Sequence, residues 1–107
     1  MPIIGACHCG DVKFELHDTP ELATDCNCSI CRKLGALWVH SEIENITILS
    51  SSDKTIRYIR SQANIAFHSC GTCGCTTHWE NLKPDKASLM AINIKLTSQD
   101  NLRIRHF

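Results

Sequence analysis

The sequence predicts an all-β domain with one or two short helical turns. Three observations carry that prediction. Apolar residues recur at short, alternating spacing, and many of them are β-branched. No apolar pattern keeps a 3.6-residue period across three helical turns. Eight cysteines in 107 residues fall into three tight groups, so the chain has a means of bracing itself besides a large core. At this length about two-thirds of the unfolded chain's surface can be buried, which leaves the core thin.

The elements follow in chain order. Val12, Phe14 and Leu16 alternate with Lys13 and Glu15, the pattern of a half-buried strand. Ser29–Leu34 is the best helical candidate. Ser29 suits its N-cap, Arg32 and Lys33 suit the negative end of its dipole, and Gly35 suits the position just past its end. Ile46 and Ile48 alternate with Thr47, and Leu49 leads into the turn cluster Ser50-Ser51-Ser52-Asp53. Ile56 and Tyr58, flanked by Arg57 and Arg60, repeat the alternation. Ile65 and Phe67 begin a strand that runs into Cys70. Residues 89–96 and 102–107 read as two closing strands around Thr97-Ser98-Gln99-Asp100-Asn101. No linker, repeat or low-complexity tract interrupts residues 1–107, which are expected to form a single domain.

Eleven Lys and Arg balance eleven Asp and Glu. A nucleic-acid module that works by bulk electrostatics needs a basic surplus, so none is expected here. No apolar run approaches the ~20 residues of a membrane span. Met1-Pro2-Ile3-Ile4-Gly5 has neither a basic region nor a long apolar one, so no secretory signal is visible and a cytoplasmic protein is expected. In a reducing compartment disulfides are disfavoured, and cysteines at this density read as metal ligands.

The groups are Cys7-His8-Cys9, Cys26-Asn27-Cys28-Ser29-Ile30-Cys31 and Cys70-Gly71-Thr72-Cys73-Gly74-Cys75. A tetrahedral structural site usually takes two ligands from each of two separated segments. Cys7 and Cys9 need a distant pair, and Cys70 and Cys73 supply one. Gly10, Gly71 and Gly74 permit the required turns and leave amides to point at sulfur. These four cysteines are expected to hold one ion that staples the N-terminal strand to the third quarter of the chain. The middle group offers Cys26, Cys28 and Cys31. Three thiolates with a vacancy make a metal site capable of chemistry. Cys75 as a fourth ligand would instead close that site. The spacing leaves both readings open. Zinc is preferred because soft thiolates and tetrahedral geometry suit it, with iron as the usual rival.

Other residues carry weaker signals. His8 sits between two ligands and should point away from them. His68 and His78 flank the third group and are either general acid/base groups or ordinary strand histidines. Trp38 and Trp79 are either pocket walls or core, with His40 and Glu42 near Trp38 at strand spacing. Glu80 and Arg32 are further candidates to assist chemistry. No phosphate loop, Ser-His-Asp set or paired-carboxylate signature is present.

Taken together, Gly5-Ala6-Cys7-His8-Cys9-Gly10 with Val12 and Phe14, Cys26-Asn27-Cys28-Ser29-Ile30-Cys31-Arg32 with Gly35, and Cys70-Gly71-Thr72-Cys73-Gly74 resemble the glutathione-dependent formaldehyde-activating enzymes, a family that includes the centromere protein V group. The closing Arg105-His106-Phe107 adds to the likeness, which spans nearly the whole chain. The resemblance implies a β-tent of small antiparallel sheets folded over zinc. It implies a structural zinc on Cys7, Cys9, Cys70 and Cys73 and a catalytic zinc on Cys26, Cys28 and Cys31, so two ions per chain. Cys75 is additional to the family's seven-cysteine pattern. The implied activity is carbon–sulfur lyase chemistry on the adduct of a small thiol, glutathione or another, with a small electrophile. Two rivals stand beside it: a zinc-stabilised binding or structural module with both metal sites closed, and a metal-free redox protein using the middle cysteines. The oligomeric state is not legible in the sequence.

Overall fold

Alternation and turn chemistry divide the chain into short strands, as the computed structural model shows for residues 2–20, 22–25, 29–50, 52–59, 65–82, 89–98, 100–101 and 105–106. In the first sheet β1 (Ile3–Ala6) and β2 (Lys13–Leu16) run antiparallel, with Ile3 opposite Leu16 and Ala6 opposite Lys13. The strand β5 (Ile46–Ile48) pairs with the other side of β2. Phe14 and Leu16 are fully buried, while Lys13 is exposed, so the alternation separates core from solvent.

The second sheet has five antiparallel strands. Its order is β4 (Trp38–Glu42), β9 (Leu89–Asn93), β8 (Thr76–Asn81), β7 (Ile65–Cys70) and β6 (Thr55–Ile59). Its two faces serve two cores. Val39, Met90 and Ile92 meet Phe14, Leu16 and Ile46 of the first sheet. On the opposite face Trp38, Phe67 and Ala91 pack with Cys31 and Ala36, and Ile30 and Leu34 add to that cluster. The helix α1 (Ser29–Leu34) therefore covers one face and the three-stranded sheet the other. Arg32 and Lys33 lie in its last turn. Gly35 follows at φ +67°, and its N–H donates to the Cys31 carbonyl at 3.1 Å, the left-handed cap that glycine adopts at least cost.

The two larger sheets are antiparallel as expected; beside them β3 (Leu22–Ala23) and β10 (Arg105–His106) run parallel, and two other expectations are corrected. Parallel pairing needs a long crossover, and most of the chain lies between these two strands. The strand expected over 89–96 stops at Asn93 and becomes a 3-10 turn, Ile94–Leu96. The buried Asn93 amide causes the break. Its Oδ1 accepts from the N–H groups of Leu37 and Lys95, each at 3.2 Å, and its Nδ2 donates to the Thr76 carbonyl at 2.9 Å. Finally, the alternation at Ile56 and Tyr58 buries neither residue: they are 65% and 60% exposed on an edge strand of the large sheet. Of the strand expected over 102–107, only β10 falls within the described residues. Among the described residues no helix is long and apolar enough to cross a membrane.

Candidate metal centre

Two hairpin ends build the site in the same way. The strand β1 ends one residue before Cys7. The Cys7 N–H donates to the Val12 carbonyl at 2.9 Å and Gly10 N–H donates to the Cys7 carbonyl at 3.0 Å. The strand β7 ends on Cys70. Its N–H donates to the Cys75 carbonyl at 2.9 Å, and Gly74 N–H donates to the Cys70 carbonyl at 2.9 Å. Both knuckles thus close from the first cysteine to the fifth residue after it. Each turns on a glycine in the left-handed region, Gly10 at φ +86° and Gly74 at φ +82°. Gly71 has a different use. Its N–H meets the Lys54 carbonyl at 2.9 Å, and a Cβ there would stand 3.4 Å from the same oxygen.

These knuckles bring the sulfurs of Cys7, Cys9, Cys70 and Cys73 within 4.8 Å of one another. Cys7 Sγ lies 3.7 Å from Cys9 Sγ, and Cys9 Sγ lies 3.5 Å from Cys70 Sγ. Four thiolates on a tetrahedral zinc at ~2.3 Å would stand about 3.8 Å apart. The donor set and its spacing therefore fit such an ion. Backbone amides already face the sulfurs: Val12 N–H to Cys7 at 3.3 Å, Thr72 N–H to Cys70 at 3.4 Å and Cys73 N–H to Cys70 at 3.5 Å.

The amides also prepare the charge state. N–H donors from Cys75 and Cys9 hold the Cys73 thiol down to about 5. The N–H groups of Cys73 and Thr72 lower Cys70. Cys9 goes the other way. The Asp11 N–H draws it down, but desolvation and the sulfurs of Cys70, Cys7 and Cys73 push it up to about 12. Within one cluster the thiols of Cys73 and Cys70 are thus pulled down while that of Cys9 is pushed up. A cation removes that conflict by taking the place of a proton.

The remaining candidates divide. Cys75 Sγ accepts from the His8 N–H beside Cys73 and Cys7, and desolvation and those neighbours raise its pKa. Cys26 and Cys28 lie outside the described residues, so of the middle group only Cys31 is placed. It is buried in α1 and accepts from the Trp38 indole N–H at 3.4 Å. The sequence reading put Trp38 and Cys31 in unrelated roles. Nothing local could have joined them, since they meet only through the packing of α1 on β4. His8 is exposed, and Arg32 and Lys33 are exposed. His40 packs edge-on against Trp79 with ring centroids 5.6 Å apart, and Trp79 packs against the cluster that holds Trp38. Glu42 neighbours Glu44, whose carboxylate raises its pKa.

His68 and His78 come together across β7 and β8, stacked with centroids 4.4 Å apart. The nitrogens of His68 meet Thr55 Oγ1 at 2.8 Å and Glu80 Oε1 at 2.9 Å, while His78 Nδ1 meets Thr77 Oγ1 at 2.8 Å. Burial, helped by the His68 charge, lowers His78 to about 3. His78 is thus a neutral, hydrogen-bonded group within the sheet.

A family model described as glutathione-dependent formaldehyde-activating enzyme matches residues 2–105. The crystal structure of a Rhodobacter sphaeroides protein is similar at a TM-score of 0.78 and 23% identity, over 97% of this chain and 98% of that one. That likeness speaks for the fold.

Proposed function

The chain belongs to the glutathione-dependent formaldehyde-activating enzyme family, and from that premise we propose that it is a zinc-dependent, carbon–sulfur lyase-like protein. Its substrate is the adduct of a small thiol, glutathione or a close analogue, with a small aldehyde. Family membership across nearly the whole chain carries this reading. In the direction of adduct formation the thiol sulfur forms a bond to the carbonyl carbon. The carbonyl π pair moves to oxygen, which takes the proton the thiol gives up. The reverse step breaks the same carbon–sulfur bond, and no electron acceptor is needed.

Two roles are proposed for the cysteines. Cys7, Cys9, Cys70 and Cys73 hold a structural ion. Cys26, Cys28 and Cys31 hold a second one with an open position. An ion held by three thiolates supplies Lewis acidity that favours the thiolate form of an incoming thiol. The chain's own groups assist around it. The Trp38 N–H offsets negative charge on Cys31, and Arg32 and Lys33 sit on the same short helix, where cations favour an anionic ligand. The packing of Cys75 against the Cys7 and Cys70 cluster supports a middle group of three thiolates rather than four. Reduced thiols fit a cytoplasmic location.

Metal analysis of protein purified under reducing conditions should find two zinc ions per chain, and Cys28→Ser should lose one while staying folded. Cobalt-substituted protein should change its absorption spectrum when glutathione is added. An unchanged spectrum would sink the open site and leave a binding module with both sites closed. Exchange NMR on a glutathione–formaldehyde mixture tests the activity itself, since faster adduct turnover is expected from the loaded wild type alone.

A further inference from the structure

A hollow of about 240 Å³ lies between α1 and the edge of the large sheet. Ile30 and Leu34 of α1 form one wall, Ile56 and Tyr58 of β6 another, and Phe67 and Ser69 of β7 lie between them. Cys70 and Gly74 of the second knuckle complete the lining, and no Lys, Arg, Asp, Glu or His is among the described residues that form it. Ser69 already shares a hydrogen bond with Thr76 at 3.0 Å, and the Cys70 sulfur already accepts from the N–H groups of Thr72 and Cys73, which leaves the Tyr58 hydroxyl as the main polar group among the described lining residues. Cys31 sits between Ile30 and Leu34 in the same six-residue helix.

We propose that this hollow receives an apolar substituent on the aldehyde carbon, so that the chain acts on thiol adducts of aliphatic or aromatic aldehydes larger than formaldehyde. This deepens the proposed function and rests on it. Three observations support it. The hollow is adjacent to the helix that carries Cys31, where the reacting sulfur would be held. Its volume is many times the ~30 Å³ share of one water, so a one-carbon aldehyde leaves it unfilled. Its described lining disfavours an anionic substituent, because none of those residues offers it a cation in return for lost water. The exposure of Ile56 and Tyr58 then has a use: two large apolar side chains stay outside both cores and face a ligand instead.

The zinc-loaded protein can be titrated with three probes: glutathione, S-methylglutathione and S-hexylglutathione. Glutathione reports on the thiol reading alone. S-hexylglutathione should bind at least tenfold tighter than S-methylglutathione, because its longer alkyl chain takes apolar surface out of water. Ile56→Asp should reduce that preference below threefold. Ile4→Asp, at another exposed apolar strand position outside the hollow, should leave it intact. Equal affinity for the two conjugates, or binding of glutathione but of neither conjugate, overturns the hollow and spares the thiol reading. Failure of all three probes overturns both. Because Ile56 is largely exposed, the variant is expected to fold, and an unchanged melting temperature confirms it.

Discussion

Gly5 shows how one residue is set by one neighbour. It stands opposite Phe14 across β1 and β2, and the Phe14 ring lies over it. A Cβ at Gly5 would come within 2.3 Å of Phe14 Cζ. Phe14 is fully buried in the core between the two sheets, so its ring has no room to withdraw. Gly5→Ala should therefore cost about 2 kcal/mol, as overpacked core substitutions do, read as a lower midpoint in denaturant. Phe14→Leu added to Gly5→Ala should recover part of that loss, since the two residues share one space. Additive losses would show that the clash is not the cause. Asn93 belongs to the same scale. The sequence leaves it inside the strand expected over 89–96, yet its amide joins the β4 entry, the start of β8 and the 3-10 turn.

At the scale of elements, the pairing of β7 with β8 sets the histidines. The strands stack His68 on His78 and bury the second ring. In the unfolded chain His78 takes a proton near pH 6.5; in the folded chain it resists until about 3. Below pH 6.5 the unfolded state binds more protons, so stability must fall with pH through that window. His78→Gln should flatten this part of the acid limb. The comparison is the drop in melting temperature between pH 7 and pH 4.5, which should be smaller in the variant. Competition of protons for the cysteines affects both proteins alike. An equal drop in the two would place the acid sensitivity elsewhere. The helix α1 shows the opposite case. Its extent, its basic last turn and its glycine stop were all legible from local residues, because helix ends are decided by local hydrogen bonding. The strand β6 was legible as a strand but not as an exposed one, since burial depends on which layer arrives to cover it.

For the whole molecule, the cysteine clamp joins segments about sixty residues apart in sequence. A structural zinc site contributes roughly 10–16 kcal/mol of apparent binding energy. That matches or exceeds the ~5–15 kcal/mol that holds an ordinary domain together. Stripping the metal with a chelator at neutral pH should abolish near-UV circular dichroism and cooperative melting, and added zinc should restore both. Cys70→Ser should behave like the stripped protein without any chelator. A chain that melts unchanged after stripping would show that the four thiolates are not structural.

The sequence by itself determined the β class, the helix with its glycine stop, and the pairing of Cys7 and Cys9 with Cys70 and Cys73. Alternation, caps and ligand spacing are local or pairwise signals, and a tetrahedral donor set admits few partners. Only the tertiary structure decided the parallel pairing of β3 with β10, the link from Trp38 to Cys31, the stacked histidines, the place of Cys75 beside the first knuckle and the uncovered face of β6. Each of these depends on which surfaces meet when the layers pack, and the residues involved carry no mark of that meeting in their own neighbourhoods.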